Sequence, residues 1–175
     1  MSSLARRSLA AILPITVLLI IPFSIEKQWH IASSTTSLLG IPLIIAGLTF
    51  LFATASMFSS VGKGTLAPWS PTQKLVIQGP YAHTRNPMIS GVLTVLLGES
   101  ILFASIPIAL WFILFFLINN VYFSFFEEPG LLKRFGEEYS EYRKHVPRWI
   151  PRLTPWNPDG GTDPNQFPTV SKQST

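Results

Sequence analysis

Residues 79–91 read GPYAHTRNPMISG, and residues 125–151 read FFEEPGLLKRFGEEYSEYRKHVPRWIP. Between these polar flanks, residues 88–126 form a run of 39 positions holding a single charge, Glu99. A helix rises about 1.5 Å per residue, and the hydrocarbon core of a bilayer is about 30 Å thick. The run is therefore long enough for two spans, and Ala104-Ser105-Ile106-Pro107 is the candidate turn between them. A hairpin of this kind returns both flanks to the same membrane face. Arg85 and Asn86 enter it, and Glu127 and Glu128 leave it, so a cation-bearing loop and a carboxylate pair meet at one interface. The chemistry is expected there.

The remainder of the chain fits an all-α, polytopic helical membrane protein. Hydrophobic residues make up 47% of the 175 positions against 13% charged, and the apolar residues come in blocks. Four spans are expected at about 8–25, 38–58, 88–104 and 106–126, followed by an amphipathic interfacial helix over about 130–146. A cleaved signal peptide is the competing reading of the first span, but no A-x-A-like site follows it. In the second span Gly40 and Gly47, with Ala46, Ala53 and Ala55, offer a small surface where another helix can approach closely. Residues 1–156 are expected to form one domain, and the Pro-, Gly-, Ser- and Thr-rich residues 157–175 a disordered tail.

With an N-terminus on the cytoplasmic side, 12 of the 13 Lys and Arg fall on that side and Lys27 alone lies outside. This asymmetry agrees with four spans, both termini and the site being cytoplasmic. The net charge of +4 then reflects anionic-lipid contact and topology rather than nucleic acid. The absence of cysteine excludes disulfides, thiolate metal sites and a cysteine nucleophile. His30, His83 and His145 have no metal-ligand spacing, so no metal is expected. No G-x-G-x-x-G motif follows a strand and no P-loop is present.

Glu127 and Glu128 fall where the fourth span should end, at the negative end of its dipole, with Pro129 expected to stop the helix. An acidic pair in that place needs a positive partner. Arg85 or a cationic ligand would serve, and a purely structural pairing with Lys133 or Arg143 is the plainer alternative. Arg85-Asn86-Pro87 opens the third span, with Asn86 suited to the N-cap and Pro87 to the first turn. It is either a capped helix start with a snorkelling Arg or an anion site made of free N–H groups and Arg85. A ligand bearing both an onium cation and a carboxylate would satisfy both ends of the hairpin. Asn120 lies seven residues before Glu127, on nearly the same helical face, and could line a lateral groove or bond a neighbouring helix. Glu99 is an intramembrane carboxylate and so a candidate for function. In the long connection 59–85, Leu75-Val76-Ile77 reads as an extended segment in a loop folded over the site.

The 79–91 motif, the hairpin, the paired glutamates and FGEEYSEYRKHVPRWIP together resemble the membrane methyltransferases of the isoprenylcysteine carboxyl methyltransferase and phospholipid methyltransferase group. The resemblance covers about residues 74–151. It implies a helical membrane enzyme that binds S-adenosylmethionine and methylates a lipophilic acceptor entering from the bilayer. By position, it implies a cofactor site of Gln73, Lys74, Leu75, Val76, Tyr81, Asn86, Pro87, Met88, Ile89 and Glu127. Arg85 and Glu128 would be the catalytic pair, and Asn120 and Phe123 would lie on the substrate side. Asn86 stands where the group usually has His, and Ile89 where it has Tyr. Phe123 stands where members that esterify a prenylated cysteine have Arg, so a carboxylate is not the expected acceptor. An NADPH-dependent reductase similar to sterol reductases is the alternative, though Lys63, Lys74 and Arg85 are few cations for a 2′-phosphate. A non-enzymatic membrane scaffold is the third reading.

Overall fold

The computed structural model describes residues 12–27, 29–31, 35–61 and 75–158, without the side chains of 58–61. Gln73, Lys74, Lys63, the start of the first span and the tail past residue 158 lie outside the described residues. Every regular element among the described residues is a helix. We number them α1 (Ile12–Ile25), α2 (Gly40–Val61), α3 (Pro87–Leu102), α4 (Ile106–Tyr122) and α5 (Glu128–His145). Thr35–Met57 and Ile106–His145 are helical stretches long and apolar enough to cross a membrane, and Ile12–Ile25 and Pro87–Leu102 are shorter apolar helices. Large side chains such as Phe52, Leu110, Phe125 and Phe126 face outward, as expected where the surroundings are lipid rather than water.

The tightest seam is the antiparallel pair α2 and α3. Gly40 meets Gly98, and Gly47 meets Gly91, with each pair seven residues apart along its helix. A Cβ at Gly47 would lie 2.8 Å from the carbonyl oxygen of Gly91 and 2.8 Å from the amide nitrogen of Val95, both backbone atoms. Small residues thus allow the two backbones into contact, which is the main source of helix affinity where no hydrophobic effect acts between helices. The small surface expected on the second span is borne out at Gly40 and Gly47. Beside the seam, Val92, Val95, Leu96 and Leu51 form the core with Val17 and Leu18 of α1, and Trp111, Phe112 and Phe115 of α4 pack against it. Trp111 Nε1 donates to the Val17 carbonyl at 3.2 Å, a bond tying α4 to the widened π turn Thr16–Ile20 of α1.

The hairpin turns where the sequence indicated. Ala104 adopts φ 47°, and Ser105 caps α4 by accepting from the Ile108 amide at 3.2 Å. The Ser105 hydroxyl also bonds Glu26 at the end of α1, so three helices are joined at this end of the bundle.

Two expectations are corrected at the other end. Pro129 does not stop the helix. Residues Phe123–Glu127 form a π turn, the Glu128 amide bonds the Phe123 carbonyl five residues back, and the chain continues into α5. A π turn shifts the carbonyl that a proline ring would otherwise strike, and Pro129 sits in the opening turn of α5, where its missing N–H costs little. The dipole argument for Glu127 and Glu128 therefore does not apply, because the pair lies within a continuing helical path. Secondly, the amphipathic helix is not one straight rod. Gly136 takes φ 54°, ψ −122°, a conformation open to glycine, and breaks α5 into two pieces.

Replacing Gly47 by Leu should destabilise the protein by about 1–3 kcal/mol, the usual range for overpacking. Gly130→Ala, where a Cβ meets nothing within 4 Å, should be neutral or slightly stabilising. Thermal unfolding of the two variants in detergent checks the contrast.

Candidate active site

The loop before α3 is held by the C-terminal segment rather than by its own turns. The Arg85 amide donates to the Pro147 carbonyl at 2.9 Å, the Arg152 amide to His83 at 3.0 Å and the Trp156 amide to Ala82 at 2.9 Å. Thr84, fully buried, donates its hydroxyl to the Arg148 carbonyl at 2.8 Å. Below the loop, Tyr139, Tyr142 and Val146 of the α5 region form a small second core with Leu75 and Ile77. The apolar face of the amphipathic helix therefore packs on the loop, where Leu75 and Ile77 lie against it. Tyr142 donates to the Tyr81 carbonyl at 2.7 Å, closing the unit.

This frame encloses a buried charge cluster. Glu128 is 8% exposed. Its Oε1 accepts from Arg85 Nη1 at 2.8 Å and from Arg148 Nε at 2.9 Å, and Arg148 Nη2 lies 2.8 Å away. Arg143 is more distant, 3.8 Å from Oε2. Arg148 also donates from Nη1 to Asn120 Oδ1 at 2.9 Å and to the Ser124 hydroxyl at 2.8 Å. Arg85 is thus not a snorkelling side chain. It lies under the loop, with Tyr139 3.4 Å from the same nitrogen and its Nε buried without an acceptor among the described residues. Of the alternative partners for the acid pair, Arg85 holds Glu128; Arg148 joins it, and Lys133 takes no part.

Next to this cluster is a cavity of about 510 Å³. Its polar wall includes Tyr81, Arg85, Asn86, Glu127 and Glu128, and its apolar wall includes Leu13 and Val17 of α1 with Phe115 and Phe126. Leu75, Val76, Pro87, Met88, Ile89 and Phe123 line it as well. Asn86 sits at the N-cap position of α3 but makes no capping bond with its side chain. Glu127 has no hydrogen bond or ion pair among the described residues. Burial, with the neighbouring Glu128 charge as a lesser cause, raises its carboxyl to about 7 from an ordinary 4.5. Burial likewise raises the Tyr81 hydroxyl, with Glu127 adding to the effect.

Asn120 is the expected site residue that this cavity does not include. It bonds Arg148, and Trp149 Nε1 lies 3.3 Å from the same oxygen. The π turn accounts for this. It adds a residue to the turn, so Asn119, eight residues before Glu127, shares the cavity face in place of Asn120. Arg148 opens RWIPRLTPW, a Trp- and Arg-rich, proline-broken segment whose composition suits the membrane headgroup zone. The signal for its inward role is only that RWIP follows the helix directly. Among the described residues no group of three or more His, Cys, Asp or Glu could hold a metal ion.

Arg148→Ala should cost about 1.5–3 kcal/mol, as expected for losing hydrogen bonds to a buried charge. Lysine at 148 should restore less than half of it, because one ammonium cannot reach Glu128, Asn120 and Ser124 together. Chemical denaturation of the three proteins measures both. The raised carboxyl of Glu127 has an opposite sign to a stabilising ion pair. Its ionised form is disfavoured by folding, so the ligand-free protein should lose stability as pH rises from about 4.5 through about 7. Glu127→Gln should remove that part of the decline, raising the thermal midpoint at pH 8 and leaving it nearly unchanged at pH 5.

No curated protein and no solved structure matches the chain. A family model described as phospholipid methyltransferase matches residues 35–138, more than half of the sequence. The matched region takes in α2, α3, α4 and the start of α5, and with them Arg85, Asn86, Glu127 and Glu128. The chain belongs to the phospholipid methyltransferase family, a family of membrane methyltransferases.

Proposed function

We propose that this protein is an S-adenosylmethionine-dependent methyltransferase whose acceptor is a lipophilic molecule reaching the cavity from the bilayer. The observation that carries the reading is a single cavity with one polar, carboxylate-bearing wall and one apolar wall. Its volume lies within the range of about 300–1,000 Å³ usual for small-molecule sites. The residues fit such a cofactor: among the described residues, the Glu127 carboxyl has no protein partner and the buried Arg85 Nε has no acceptor. Leu75, Val76, Tyr81, Asn86, Pro87, Met88, Ile89 and Glu127 would hold it, with Gln73 and Lys74 belonging to the same expected set. Once bound, the cofactor would supply an activated methyl group on a cationic sulfur.

The protein's part is then alignment and exclusion of water rather than a nucleophile of its own. Glu127 gives the cavity a carboxyl without a partner among the described residues, and a cationic ligand would favour its ionised form. Arg85 and Glu128 act as positioning residues, fixing the loop against α5 so that its wall keeps its shape. Leu13, Val17, Phe115 and Phe126 make the other wall apolar and suited to an apolar acceptor. Phe123, where an arginine would be needed to hold a carboxylate, lines the cavity and packs against Trp149 at a ring separation of 5.7 Å. This supports an acceptor other than a carboxylate.

For the membrane arrangement we propose spans at α1, α2, α3 and α4, with both termini and the cavity on the cytoplasmic side. The 12 cationic residues that this topology puts there support it. Residues 1–156 form one catalytic unit in this reading and 157–175 a tail.

The test is ligand binding to the purified protein in lipid nanodiscs, with S-adenosylmethionine and NADPH compared by calorimetry. The reading expects saturable binding of S-adenosylmethionine, at least tenfold weaker in Glu127→Gln, and label from its tritiated methyl group in the lipid extract. Binding of NADPH alone, or of neither in lipid, would overturn it.

A further inference from the structure

At the far end of α3 lies a second cavity, of about 560 Å³, that shares no lining residue with the first. Glu99 borders it, 12 residues and so about 18 Å along the helix from Pro87. Its remaining walls are α1, Ile44, Trp29 and Phe103. The Glu99 carboxyl is the anomaly. Its Oε2 is buried without a hydrogen-bond partner, and neither oxygen bonds a described residue. Ser24, the hydroxyl on the same wall, already donates to the Ile20 carbonyl at 2.6 Å. No ion pair joins Lys27, the cation nearest Trp29 in sequence, to Glu99 among the described residues. A buried carboxyl oxygen without a partner is costly, and more so at membrane depth.

Three aromatic rings border the same space. Phe23 stacks on Trp29 at 5.8 Å, and Phe103 meets Trp29 edge-on at 4.8 Å. Phe23 is 73% and Trp29 40% exposed, so the groove opens outward rather than into the core. A carboxyl-bearing residue lining the same groove as three aromatic rings is complementary to an organic ammonium, through charge and through the ring quadrupoles. The apolar flank formed by Leu18, Leu19 and Ile20 suits an alkyl chain. We infer that this groove is a second binding site, for an amphiphile with an ammonium head seated between Glu99 and Trp29 and its chain along α1. The site is separate from the proposed methyl-transfer cavity and stands whether or not that cavity binds S-adenosylmethionine.

Dodecyltrimethylammonium is the probe, titrated into the protein in dodecyl maltoside and followed by native mass spectrometry and thermal midpoint. A saturable equivalent that persists in Glu127→Gln, apart from any bound in the methyl-transfer cavity, should bind the wild type and raise the midpoint. Glu99→Gln and, independently, Trp29→Ala should weaken it at least tenfold, while Glu127→Gln stays within threefold of the wild type. Trp29 lies at the exposed rim, so its variant reports on the site even if Glu99→Gln folds poorly. Undiminished binding in both Glu99→Gln and Trp29→Ala, equal binding of dodecyl sulfate, or loss confined to Glu127→Gln would overturn the inference.

Discussion

A carboxylate taken out of water must be compensated, and Glu128 is compensated by two arginines from distant parts of the chain. Arg85 comes from the loop before α3 and Arg148 from the segment after α5. A buried ion costs several kcal/mol unless its partners hold good geometry, so the cluster forms only when all three segments are in register. The backbone bonds from 82–85 to 147–156 and the tyrosine pair under the loop supply that register. Everything on the polar wall of the cavity depends on this arrangement.

The neighbouring glutamate differs for a geometric reason. Successive residues on a helix point about 100° apart, so Glu127 and Glu128 face different surroundings. Glu128 turns to the arginines and is satisfied; Glu127 turns to the cavity and is not. One acid fixes the structure, and its neighbour faces the cavity without a partner among the described residues. The π turn at Phe123–Glu127 makes this division possible while the helical path runs on through Pro129. Such a local widening of a helix is common at functional sites.

Much of this was legible in the sequence because its signals are strong and local. A 39-residue run with one charge admits a hairpin, and a hairpin brings its flanks together. Gly40 and Gly47 announced a close helix contact, and the apolar Leu75 and Ile77 a loop segment packed against its surroundings. What escaped detection depends on contacts or on small changes of helical pitch. Proline 129 reads as a stop because an α-helix cannot absorb it, whereas a π turn can. The same turn moves the cavity face from Asn120 to Asn119, a one-residue shift that a strict 3.6 period cannot reveal. Arg148 joins Glu128 across 20 residues through a broken, proline-rich segment, and no periodicity encodes that contact.

The central claim is that the entrance and exit of the hairpin are energetically coupled through Arg85 and Glu128. A double-mutant cycle of Arg85→Met and Glu128→Gln, measured by reversible denaturation in detergent, tests it most directly. The account predicts a coupling energy of more than about 1 kcal/mol, as expected for residues in direct contact. Additivity within about 0.3–0.5 kcal/mol, the behaviour of distant independent sites, would contradict it.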